Sequence, residues 1–143
     1  MRKIVLDTNC LLMSLPKISP YRVLWDSFLK GEIVLCVSNE IIEEYLEILT
    51  QKVGAKIANN VIELIINRTN VEFVESTFRF ELIKSDVDDN KFVDCAIVAG
   101  ALCIVSNDAH FKVLAEIPFP KVTVFNILEF ISILKRWNGN FAN

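Results

Sequence analysis

The sequence predicts an α/β domain in which a parallel sheet carries helices on both faces. Three observations support this. Short aliphatic runs alternate along the chain with longer segments of helical periodicity. The runs are continuously apolar rather than alternating in polarity, as strands buried on both faces are. The length, 143 residues, fits one domain spanning 1–143, and a hydrophobic content of 52% supplies a sizeable core.

The first predicted strand, residues 3–7 (KIVLD), ends on Asp7, with Thr8 and Asn9 next and apolar residues after them. Ser19-Pro20 opens a helix (YRVLWDSFLKG), with proline at an early helical position and Gly31 at the stop. Residues 33–37 (IVLCV) form the second strand, and Ser38 is placed to cap the helix NEIIEEYLEILTQKV. Residues 54–67 (GAKIANNVIELIIN) repeat apolar positions at helical spacing. Residues 71–83 (VEFVESTFRFELI) read equally as a short hairpin or as edge strands. DDNKFVDCAIVAGA, residues 88–101, is a further helix, LCIVS at 102–106 a third strand, and DAHFKVLAEI a short helix. After Pro118 and Pro120 comes a fourth strand, 121–125 (KVTVF), and Asn126 caps ILEFISILKRW.

Composition removes several functions. A net charge of −3 argues against a large electropositive surface but leaves room for a local basic groove. Cys10, Cys36, Cys95 and Cys103 form no C-x-x-C pair, and the one histidine is His110, so neither a zinc site nor a disulfide is expected. Each cysteine lies among apolar neighbours, as a buried, reduced thiol does. The longest uncharged stretch, 95–107, is too short for a membrane span, and no signal peptide is visible. A soluble, cytoplasmic protein is expected.

In open α/β sheets, ligands bind beyond the carboxyl ends of the strands. Asp7 stands at one such end, Ser38 and Asn39 at a second, and Ser106, Asn107 and Asp108 at a third. On the helix after Ser38 the apolar stripe is Ile41, Ile42, Tyr45, Ile48 and Leu49. Glu40, Glu43 and Glu47 fall opposite, and Glu44 flanks the stripe, the acid best placed to point inward. Asp89 is in register with Phe92, Val93 and Ala96, whereas Asp94 points away from that stripe, and Asp86 and Asp88 belong to the preceding loop. Four inward carboxylates without basic partners would repel one another, and a divalent cation removes the conflict. Oxygen ligands favour Mg²⁺ or Mn²⁺ over zinc. Taken singly, Asp7 and Asp89 read as caps or anchors, Glu44 as a surface acid, and Lys91 as a solvated lysine or a phosphate contact. His110 reads as packing or support rather than as a ligand. Phe73, Phe78 and Phe80 are candidates for base stacking, with core or lid packing the simpler reading.

The ordered blocks IVLDTN (4–9), SNEIIEEY (38–45), DDNKFVDCAIVAGA (88–101) and IVSND (104–108) resemble the PIN-domain nucleases. With the tail FPKVTVFNILEFISIL the resemblance spans nearly the whole chain. It is closest to the VapC-like toxin components of bacterial toxin–antitoxin pairs. It implies a three-layer α/β/α sandwich around a parallel sheet, and Mg²⁺- or Mn²⁺-dependent cleavage of single-stranded or loop RNA. Asp7, Glu44, Asp89 and Asp108 match the family's four acids, as catalytic and metal-binding residues. Asp94 is the weaker candidate for the third, because IVSND lies too near it. Asn9 and Ser106 match the small polar positions that orient the acids, with Thr8 beside them. Many relatives carry threonine where Ser106 stands, and the hydroxyl is kept. A small antitoxin over the acidic cleft and a homodimer are implied as partners.

Three rivals stand beside this reading. A haloacid-dehalogenase-like phosphatase also begins with an aspartate after the first strand but needs a second one two residues on, where Asn9 stands. A receiver-like domain needs an acidic pair near the first strand and a phosphorylated aspartate on a middle strand, and neither is present. The third is a PIN scaffold that binds RNA or protein without cutting.

Overall fold

The computed structural model describes residues 2–75, 79–84 and 87–141. Strands β1 (Lys3–Leu6), β2 (Val34–Val37), β3 (Val71–Phe73), β4 (Cys103–Val105) and β5 (Val124–Phe125) form one sheet in the order β3-β2-β1-β4-β5, with every pair parallel. The helices are α1 (Thr8–Ser14), α2 (Arg22–Leu29), α3 (Asn39–Val53), α4 (Ala55–Asn67), α5 (Asn90–Ala99) and α6 (Ile127–Phe141). Two 3₁₀ segments, Val87–Asp89 and Ala109–Glu116, precede α5 and follow β4.

Successive residues of β2 and β4 are all buried, and so are Ile4, Val5 and Leu6 of β1. Successive side chains point to opposite faces of a strand. Helices therefore cover both faces, and the architecture is the expected three-layer α/β/α sandwich. The first two crossovers carry the chain from β1 to β2 and on to β3, while β4 returns to the other side of β1. This reversal opens a crevice at the carboxyl ends of β1 and β4.

Several elements differ from expectation. The ambiguous stretch after residue 70 gives one short edge strand, β3, parallel to β2. β5 is two residues long; of the residues expected before it, Thr123 contributes only its carbonyl, which accepts from the Ile104 N–H at 2.9 Å. The segment after Asp108 is 3₁₀ rather than α-helical. Helix α1 was not anticipated; it starts directly after Asp7. Phe78 and Asp86 lie outside the described residues.

Three contacts fix the elements that carry the crevice. Ser38 caps α3, its hydroxyl accepting from the Ile41 N–H at 3.3 Å. The buried Tyr45 hydroxyl donates to the Leu6 carbonyl, tying α3 to the end of β1. Asn90 clamps the segment 79–84 onto α5: its Oδ1 accepts from Ile83 N–H at 2.9 Å, and its Nδ2 donates to the Ile83 carbonyl at 2.7 Å. The four cysteines are buried and unpaired, and burial pushes each thiol up to about 12, so they serve as small core residues.

Candidate active site

β1 and β4 pair with Leu6 opposite Val105, so the next residues, Asp7 and Ser106, emerge side by side. The Ser106 hydroxyl donates to Asp7 Oδ2 at 2.7 Å and accepts from the Asp108 N–H at 3.0 Å. One serine thus orients one acid and the backbone of another. Asp7 occupies the N-cap position of α1, yet its side chain makes no capping bond. It is 7% exposed. Burial raises its carboxyl above the ordinary carboxylate range. The Ser106 hydroxyl and the Thr8 N–H pull the other way, and the charges of Glu44 and Asp108 raise it further.

Glu44 is held from both sides. The buried Thr8 hydroxyl donates to Oε2, and the Lys91 ammonium sits 2.7 Å from Oε1. Lys91 is therefore not a solvated lysine: its side chain is only 14% exposed and ion-paired with an acid of the cluster. Asn9 departs from expectation too. It is exposed on the first turn of α1 and makes no side-chain bond to Asp7.

Phe92 of α5 packs edge-on against Phe111, ring centroids 6.4 Å apart, and both are buried. This contact brings the start of α5 to the segment after β4. Asp89 and Asp108 then meet at His110, whose Nδ1 lies 3.2 Å from Asp89 Oδ2 and 3.2 Å from Asp108 Oδ1. One ligand atom from each of these three residues lies within 4.8 Å of the others. The sequence suggests packing or support for His110, and the structure sets it between two of the acids. The signal available in the sequence was the D-x-H spacing, with Asp108 capping the 3₁₀ segment through the His110 N–H at 2.9 Å.

Asp94 does not join them, and although its register points it away from the stripe of Phe92, Val93 and Ala96, it is buried. It is 1% exposed beneath the segment 79–84, accepting from the Phe80 N–H at 3.2 Å, while its Oδ2 has no partner. Burial raises its carboxyl, the Phe80 N–H and Arg79 lower it, and Glu40 and Glu81 add smaller raising contributions. Asp88 is exposed on the 3₁₀ turn, and Phe73 is half-exposed on the edge strand. A groove of about 690 Å³ opens on the far side of Asp108, between the 3₁₀ segment 109–116, the approach to β5 and the start of α6.

The sequence profile of the PIN domain family matches residues 3–110. The chain belongs to the PIN domain family. Among solved structures, this PIN domain is similar to VapBC2 from Rickettsia felis bound to a DNA fragment from its promoter. That match has a TM-score of 0.59 and 15% identity, covering 87% of this chain and 98% of that one. It is similar also to DNA-bound VapBC from Salmonella typhimurium, at a TM-score of 0.59 and 16% identity, covering 89% of this chain and 99% of that one. At such identities the likeness is one of fold. No curated protein matches the chain. Among the described residues, no helix of this PIN domain is long and apolar enough to cross a membrane.

Proposed function

We propose that this PIN domain is a metal-dependent endoribonuclease, hydrolysing phosphodiester bonds of single-stranded or loop RNA, and the cytoplasmic toxin of a toxin–antitoxin pair. The observation that supports it best is one continuous set of contacts. Asp108 is joined through Ser106 to Asp7, Thr8 bonds Glu44, and His110 joins Asp108 to Asp89. The VapC-like resemblance of the sequence blocks adds a small antitoxin over the acids and a homodimer to the same reading, and the two structural neighbours are themselves VapBC complexes. Exposed Ile57 and Ile66 of α4 suit an interface.

The donor set fits a divalent cation. It holds several carboxylates, a buried Asp7 whose burial disfavours an uncompensated charge, and an ammonium already standing against Glu44. Asp7, Glu44, Asp89 and Asp108 would hold Mg²⁺ or Mn²⁺, with His110 as a further ligand. When bound, the ion supplies positive charge where an in-line displacement at phosphorus develops negative charge, and it lowers the pKa of the attacking water. Ser106 fixes Asp7 through Oδ2 and leaves Oδ1 for the centre. Thr8 holds Glu44 on one side and Lys91 on the other; with an ion bound, Glu44 would turn from its ammonium to the ion, and Lys91 would be left to meet a substrate phosphate.

The test is cleavage of mixed RNAs by wild type and Asp7→Asn with Mg²⁺ or Mn²⁺. Wild-type cutting that is lost on chelation, and a drop of at least about 100-fold in the variant, are expected. Equal cutting by the two proteins would overturn the reading. A non-cutting RNA- or protein-binding PIN module is the second reading, favoured by the Lys91–Glu44 ion pair. Metal binding without cleavage of any RNA would establish it.

A further inference from the structure

The groove beside Asp108 has a chemistry that the acids do not explain. Its carboxylates are engaged: Asp108 with His110, and Glu129 in a reciprocal cap with Asn126. In that cap Asn126 N–H donates to Glu129 Oε1 at 2.9 Å, and Glu129 N–H donates to Asn126 Oδ1 at 2.8 Å. Its donors are not engaged. Lys112 and Lys121 are exposed and make no ion pair among the described residues. The Tyr21 and Thr123 hydroxyls and the Asn126 amide nitrogen make no hydrogen bond there either. Two ammonium groups, two hydroxyls and an amide thus surround a space sharing a wall with Asp108. At about 690 Å³ it falls within the range, about 300–1,000 Å³, that takes a ligand of nucleotide size. Unpaired cations around a concave space, with an aromatic ring on its wall, are what a sequence-tolerant single-strand site requires.

We propose that this groove seats the single-stranded RNA flanking the cleaved bond on one side, Lys112 and Lys121 taking its phosphates and Tyr21 a base. The proposal rests on the ribonuclease reading above. It also resolves a conflict in charge: a chain of net charge −3 presents an acidic centre to an anionic substrate, and the two lysines put local positive charge next to that centre.

The experiment measures binding of a short fluorescent oligoribonucleotide by anisotropy across a salt series, with Mg²⁺ present and Asp7→Asn as the non-cutting background. Lys112→Ala/Lys121→Ala is compared with the equal-charge control Lys52→Ala/Lys56→Ala, all four lysines being on the surface. The groove pair is expected to weaken binding about tenfold at low salt. It should also reduce the slope of log affinity against log salt by about 1.4, two phosphates at about 0.7 each, while the control leaves the slope unchanged. If the protein binds RNA and the groove pair leaves the slope unchanged, or the control moves it equally, the inference is overturned and the ribonuclease reading stands. If the parent protein neither binds nor cuts RNA, both fall together.

Discussion

Asp7 and Asp94 share an electrostatic predicament and differ in use. Both carboxyls are raised, chiefly by burial. A raised folded-state value means the folded protein favours the neutral acid. Below the ordinary aspartate range the folded and unfolded states are both protonated, and nothing is lost. As pH rises through the folded-state value, the fold must carry a buried charge and stability falls. Without metal at neutral pH, Asp7→Asn and Asp94→Asn should therefore both unfold at higher temperature than wild type, the gap closing as the pH falls below about 4. Only Asp7→Asn should lose cleavage. A metal-free Asp7→Asn no more stable than wild type at pH 7 would refute the account. Sequence reasoning separated these two residues only in part. Asp7 was legible because a buried strand ran straight into it. Asp94 was misjudged because Asn90 and Phe92 through Ala96 of α5 are all buried, so no face of that stretch is free and register says little about exposure. The contacts of His110 with Asp89 and Asp108 were not legible, because its partners come from two elements whose approach depends on the Phe92–Phe111 contact, which a linear pattern does not display.

Helix α3 shows how an element delivers a side chain. Glu44 lies next to Tyr45, and the Tyr45 hydroxyl fastens the helix to the strand that ends in Asp7. Tyr45→Phe deletes that donor inside the core. We expect it to cost about 1–2 kcal/mol in urea unfolding and to reduce kcat more than substrate affinity, because Glu44 loses its fixed place relative to Asp7. Equal stability of the variant and wild type would show that the tie is dispensable. The buried strands were readable at this scale because continuous aliphatic runs have few other solutions. Helix α1 was not: its seven residues begin with Thr8 and Asn9 and continue the apolar run of β1 through Cys10, Leu11 and Leu12 without a turn signal. β5 came out short, and the prolines before it, lacking an N–H, cannot extend a ladder.

The sheet order governs the molecule as a whole. Because β4 lies beside β1, residues a hundred positions apart in sequence converge at one edge, and a cation held there, as proposed, would cross-link the first and last parts of the family match. Saturating Mn²⁺ should raise the unfolding temperature in proportion to its affinity; an excess of 100 times the dissociation constant corresponds to about 2.7 kcal/mol. An imidazole ligand matters more to Mn²⁺ than to Mg²⁺. His110→Ala should therefore weaken Mn²⁺ binding about tenfold in calorimetric titration and leave Mg²⁺ binding nearly unaltered. Equal loss for both ions, or for neither, would exclude the histidine from the ligand set. The sheet and its crevice followed from the strand pattern. The groove beside Asp108 did not, since its wall is assembled from Tyr21, Asp108, Lys112, Lys121 and Asn126, residues with no shared pattern.

The Lys91 ammonium against Glu44 has a consequence for the life of the protein in a cell. A cluster of acids that depended wholly on an external ion would resist closing on a newly made chain. On the ribonuclease reading proposed above, Lys91 would stand as a built-in placeholder, making synthesis and arming separate events. The chain would then reach its native form in whatever metal supply it is born into, and become destructive only once an ion outcompeted its own lysine.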